Sequence, residues 1–306
     1  MGFMLYFAGN TNKQTDHVLI DNGANRLFSQ LIDRKGCEEW IKYSREVEHR
    51  NLFIDSGAYS VHTKGKEVDV DEYIQYVNDR QGCFQAIAQV DKIPGEFGKP
   101  KTLQQLAEAP ELSWENYLYM RDRVFDVDCL LPIFHQGEDF KHLKRMLEFT
   151  SDGKHIPYIG ISPANDISKK HKDTWLSLVF KCIKDSSNPS VKTHAFGMTS
   201  LDILEKYPLY SADSTSWCLT AAMGSIMTPW GTILVSNVQL DNPTHVTKMS
   251  TKQIQQIDDF TKKYGFSLEQ CSEEHTARRM LNALYLLDWA KNYKFKGTNK
   301  YQKRLF

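Results

Sequence analysis

The chain has 306 residues, 41% hydrophobic and 25% charged, with 38 Lys and Arg balancing 38 Asp and Glu. That composition fits a globular protein with a sizeable core and excludes a disordered or fibrous chain, while zero net charge excludes a global attraction to nucleic acid. No apolar run approaches the roughly 20 residues of a membrane helix, and six scattered cysteines without a CxxC pair point to free thiols in the cytoplasm rather than a disulfide framework.

In chain order, eight β-like runs stand out: MLYFA (4–8), NLFID (51–55), AIAQVD (86–91), CLLPIF (129–134), IPYIGI (156–161), KTHAFG (192–197), PLYSAD (208–213) and TILVS (232–236). The opening MGFMLYFAGN lacks the charged start of a secretory signal and reads as the first strand. Helical patterns lie between the runs at 24–32, 71–78, 114–124, 139–149 and 174–184, and continue beyond them at 250–264 and 272–293. Strands alternating with helices predict parallel β/α units, and eight of them suit a (β/α)8 TIM-type barrel, usually about 250 residues long. The rival is an open doubly wound sheet, which the segment FAGNTNKQ disfavours because it carries no Gly-rich dinucleotide fingerprint. The expectation is an α/β protein: a single barrel domain over 1–306, with 250–306 forming C-terminal helices and a basic tail, and no zinc subdomain.

The ends of these runs carry the chemistry. Asp55 closes the second run and is followed by Ser56 and Gly57; Asp91 closes the third; Gln136 and Gly137 follow the fourth. Gly160, Ile161 and Ser162 end the fifth, Phe196, Gly197 and Met198 the sixth, and Asp213 the seventh. A strand-end Asp often only caps a turn, and a glycine there often only relieves one. Recurrence at one rim points instead to a site, because barrel enzymes gather catalytic groups from the carboxyl ends of several strands. Three carboxylates facing one pocket repel one another, which stability alone disfavours. They suit glycosidic chemistry, in which one carboxylate attacks the anomeric carbon and another moves a proton to or from the leaving group. A third can accept hydrogen bonds from the N–H groups of a base.

Taken in order, DSGAYS, VDKI, FHQG, YIGIS, HAFGM and the seventh-run Asp213 resemble the tRNA-guanine transglycosylase superfamily, over roughly residues 52–217. Members are (β/α)8 barrels that exchange a guanine in nucleic acid for a 7-deazaguanine. The resemblance implies that Asp213 is the nucleophile and Asp55 the acid/base. It also implies that Asp91, Gln136, Gly137 and the backbone at Gly160 and Ile161 hold the base, and that Phe196 or Met198 packs on it. Two stretches depart from the tRNA enzymes. Ala58-Tyr59-Ser60 stands where they have Gly-Phe-Gln or Gly-Tyr-Gln, and Ser214-Thr215-Ser216-Trp217 stands where they have Cys and a Pro-Thr-Arg segment. Cys218, Cys271, His245 and His275 do not have the spacing of those enzymes' zinc site. The closer likeness is to the branch, found in phages and bacterial genomic islands, that inserts 7-deazaguanines into DNA.

The expected partners are therefore DNA, with tRNA as the alternative, and free guanine and 7-deazaguanine bases, with no cofactor, no metal and no membrane. A homodimer or an accessory protein stays open. The tail 291–306 holds six basic and four aromatic residues and no acid, so Lys294, Lys296, Lys300, Lys303 and Arg304 are candidate nucleic-acid contacts; a solvated tail is the competing reading. His62, His135 and His194 lie near the rim and read as hydrogen-bonded packing residues in preference to a metal triad. A base-releasing hydrolase and a non-catalytic nucleic-acid-binding barrel remain the other functional readings.

Overall fold

The computed structural model describes residues 3–9, 11–46, 52–64, 67–95, 99–164, 167–198 and 200–297. The strands, in chain order, are β1 (Met4–Phe7), β2 (Asn25–Ser29), β3 (Leu52–Asp55), β4 (Ala86–Ala88), β5 (Leu130–Leu131), β6 (Ile133–His135), β7 (Thr150–Ser151), β8 (Lys154–His155), β9 (Tyr158–Ser162), β10 (Lys192–Ala195), β11 (Ser211–Ser214), β12 (Ser225–Thr228) and β13 (Gly231–Leu234). The chain divides into two compact units, Met1–Asn25 with Ser214–Lys294, and Arg26–Asp213 with Phe295–Phe306. No helix among the described residues is long and apolar enough to cross a membrane.

The larger unit is an α/β body with a parallel, barrel-like sheet. Its strands pair in two runs, β2–β3–β4–β5 and β11–β10–β9–β6. The runs meet at Pro132, which lacks the N–H a continuous ladder needs and so splits one long strand into β5 and β6. The Pro132 carbonyl still accepts the Gly160 N–H at 2.8 Å, so β9 is bonded across the break. Side chains alternate across such strands. Phe53, His194 and Phe196 form one inward cluster, with the His194 ring centroid 4.5 Å from both phenyl rings. The intervening helices, such as Leu103–Arg121, Phe140–Glu148 and Lys169–Lys184, are N-capped by Thr102, Asp139 and Ser168.

Two expected elements differ. Residues 24–32 are not helical: Asn25–Ser29 is β2, paired in parallel with β3 so that Ser29 stands opposite Asp55. Arg26 hid this strand. It is fully buried, with its guanidinium 4.7 Å from the Phe28 ring centroid and 5.6 Å from that of Trp40, where an apolar residue would have completed the alternation. Conversely, TILVS adds no strand to the parallel sheet, because Gly231–Leu234 pairs antiparallel with Ser225–Thr228 as a separate ribbon. Asp55 thus ends the third strand of the chain, not the second.

The smaller unit holds β1, that ribbon and the C-terminal helices Thr251–Lys263, Leu268–Glu273 and His275–Lys291 around a core that includes Ile226, Val235, Ile257 and Leu281. Asn282 is buried inside it: its Oδ1 accepts the Met227 N–H at 2.7 Å, and its Nδ2 donates to the Trp217 carbonyl at 3.1 Å and the Ser225 carbonyl at 3.4 Å.

Candidate active site

The turn after β3 is short of bulk because its neighbour leaves no room. Gly57 has φ +78, and a Cβ there would stand 2.6 Å from the Ser29 Oγ on β2. The turn closes on the carboxylate: the Gly57 N–H donates to Asp55 Oδ2 at 2.9 Å, and the Ala58 N–H to Ser56 Oγ at 3.3 Å. Asp55 points into the larger unit, in phase with Phe53.

Asp91 arrives by a detour. After Gln89, whose N–H still donates to the Leu131 carbonyl at 3.1 Å, the chain leaves the ladder and bonds to the helix Leu103–Arg121: the Val90 carbonyl accepts from Asn116 Nδ2 at 2.9 Å, and the Lys92 N–H donates to Ser113 Oγ at 2.8 Å. Asp91 Oδ2 then lies 3.0 Å from Nε2 of His135, at the end of β6. Burial disfavours a charged imidazole at His135, but its hydrogen bond to Asp91 and the charges of Asp91 and Glu138 outweigh that and raise its pKa. Glu138 also accepts the His135 N–H at 3.1 Å, and burial pushes its own carboxyl pKa up.

Asp213 is the penultimate residue of β11, with its side chain 10% exposed. Its Oδ1 takes two contacts, from the Gly197 N–H at 2.8 Å and from His194 Nε2 at 3.3 Å, while Oδ2 makes no hydrogen bond among the described residues. Burial lowers the His194 pKa, and Asp213 offsets this only in part, which favours the neutral imidazole.

These carboxylates share one locality. Asp55 has its pKa raised to about 7, first by burial and then by the negative charges of Asp91 and Asp213, against hydrogen bonds from the backbone at Gly57 and Ser56. An acid that titrates near neutrality beside two further carboxylates can take up and release a proton at physiological pH.

The remaining candidates play smaller parts. Gln136 Oε1 accepts the Ala164 N–H at 3.2 Å, so that oxygen fixes the loop after β9, and Gly137 turns the chain with φ +106. The Gly160 N–H and the Ile161 carbonyl both lie in the ladder, the latter accepting from the Phe196 N–H at 2.9 Å. Gly160 contributes space: a Cβ there would sit 2.6 Å from the Phe196 ring. Met198 is buried and Gly197 exposed. Lys294 is exposed. Lys296 pairs with Glu205, at 2.6 Å through Nζ and 2.7 Å through its backbone N–H. Lys300, Lys303 and Arg304 lie outside the described residues. His62 ends the short helix Ala58–His62, and among the described residues no group of three or more His, Cys, Asp or Glu is arranged to hold a metal.

Sequence reading missed the roles of Ser29 and Glu138 and the contacts His135–Asp91 and His194–Asp213. The signal was parity: His194 falls on an inward position of its run, and His135 lies one residue past the end of its own. No family model matches the chain, and no curated protein matches it either.

Proposed function

We propose that the protein is a base-exchange glycosyltransferase that replaces guanine in DNA by a 7-deazaguanine through a covalent Asp213–sugar intermediate. Asp213 Oδ2 attacks C1′ of the target deoxyguanosine, a carbon–oxygen bond forms, and the C1′–N bond breaks with its electron pair leaving on the base. Asp55 in its acid form supplies the proton that neutralises the departing guanine. The incoming 7-deazaguanine returns a proton to Asp55 and displaces the carboxylate from C1′, so two inversions retain the configuration. Asp91, held by His135, receives the N–H edge of the base, and the target nucleotide leaves the helical stack to reach it.

The observation that carries this reading is the division of labour among the carboxylates. One has a single oxygen engaged and the other open, one is held by an imidazole, and one titrates at about pH 7. The departures at Ala58–Ser60 and Ser214–Trp217 from the tRNA enzymes favour DNA over tRNA. With this reading goes a closed (β/α)8 barrel of the transglycosylase kind without a zinc subdomain, and a cytoplasmic enzyme, of phage type, with its six cysteines free.

The test is incorporation of labelled guanine and 7-deazaguanine into duplex DNA, single-stranded DNA and tRNA in competition. DNA is expected to take the label, and Asp213→Ala is expected to lower the rate about 10⁴-fold. Label in tRNA alone overturns the choice of polymer; free guanine with an abasic product and no incorporation makes the protein a hydrolase; exchange that survives in Asp213→Ala removes the nucleophile.

A further inference from the structure

Beneath Asp213 three buried polar side chains stand in line on adjacent strands: Tyr158 on β9, His194 on β10 and Ser211 on β11. His194 pairs in register with Ser211, and Tyr158 with Lys192, one inward step below His194. The Tyr158 hydroxyl meets Ser211 Oγ, Ser211 Oγ lies 2.7 Å from His194 Nδ1, and His194 Nε2 lies 3.3 Å from Asp213 Oδ1. His194 and Ser211 are wholly buried and Tyr158 nearly so. We infer that Tyr158, Ser211 and His194 form a positioning relay that holds one oxygen of Asp213 and leaves the other as the attacking atom. The inference rests on the reading of Asp213 as nucleophile.

One arrangement of protons satisfies this line. A neutral imidazole carries one N–H, and an Nε2 lone pair facing a carboxylate oxygen would be repelled, so the proton sits on Nε2 and donates to Oδ1. Nδ1 then accepts from the Ser211 hydroxyl, and Ser211 Oγ accepts from the Tyr158 hydroxyl. Burial keeps that phenol protonated by raising its pKa. Every donor therefore points towards Asp213. The reverse order would leave the buried Tyr158 O–H without an acceptor, at a cost of about 1–3 kcal/mol. The edge-on rings of Phe53 and Phe196 clamp the imidazole plane. Together with the Gly197 N–H, the relay occupies Oδ1, so rotation of the carboxylate about its Cβ–Cγ bond is opposed and Oδ2 is left as the unengaged oxygen. A buried chain that fixes tautomer and orientation in this way acts on rate, not on binding of the base.

The test combines two readouts. Nitrogen-15 NMR of the unliganded wild-type protein should show His194 as the neutral Nε2–H tautomer at pH 7, and Ser211→Ala should admit the Nδ1–H tautomer. In single turnover, Ser211→Ala and Tyr158→Phe should slow covalent adduct formation about tenfold, with guanine affinity within about twofold. His194→Gln, whose amide keeps a donor to Oδ1, should be slowed less than His194→Phe, which should lose about 100-fold. An imidazolium or an Nδ1–H tautomer in the wild type overturns the relay, as does His194→Phe forming adduct at the wild-type rate. If the wild type forms no adduct, the nucleophile reading fails, while the tautomer measurement still decides the relay.

Discussion

The core of the smaller unit and the rim of the larger one treat buried polar groups in opposite ways. In the core, Asn282 fills three hydrogen bonds, and Arg278 donates to the Ala221 and Cys271 carbonyls at 3.1 and 2.7 Å. At the rim, the negative charges of Asp91 and Asp213 add to the cost of ionising Asp55. Close by, the carboxamide of fully buried Gln89 finds no hydrogen-bond partner for either end among the described residues. Polar groups in the first region lock the chain; in the second they are held at the expense of stability. That contrast is what separates a structural network from a site.

The largest effect expected from this contrast is at Asp55. Its folded pKa of about 7 lies above the roughly 3.9 of an unfolded Asp, so the native state binds the proton more tightly. The cost of its ionisation is absent below about pH 4, accumulates as pH rises, and is complete above about pH 7. The full shift corresponds to about 4 kcal/mol, which solvent around the partly exposed carboxyl reduces. Asp55→Asn should therefore stabilise the protein at pH 8 and leave it unchanged at pH 4, in urea titrations at both pH values. Equal effects at both, or destabilisation at pH 8, would remove Asp55 from the strained set. The same variant should lower the exchange rate, and what remains should no longer fall as pH rises through about 7.

In the other region the sign is reversed. Asn282→Ala should cost about 3 kcal/mol at every pH from 5 to 8, because it orphans the Met227 N–H and takes a donor from the Trp217 and Ser225 carbonyls inside an apolar core. Thermal unfolding measures it. A loss below about 0.5 kcal/mol would show that the network contributes little and would blunt the comparison.

The sequence made the charged half of the site legible and hid its supports. Asp55, Asp91 and Asp213 stand out because each ends an apolar run, where a carboxylate has no packing reason to be. β2 was illegible because Arg26 occupies an apolar position, its charge stacked on Phe28 and Trp40. TILVS was misleading for the opposite reason: a two-residue alternation identifies a strand and says nothing of its partner. The ion pair of His135 with Asp91 depends on the chain leaving β4 early, and that departure is set by Asn116 and Ser113 on a distant helix. The His194–Ser211–Tyr158 line depends on register between strands, which no single run encodes.

The most direct measurement is to quench the protein with DNA under denaturing conditions and map the cross-linked peptide by mass spectrometry. Attachment of the nucleotide sugar to Asp213 Oδ, reversed on adding free guanine, is the expected result. A protein competent for exchange that carries its adduct on another residue, or that exchanges bases with no adduct at all, would contradict the central claim.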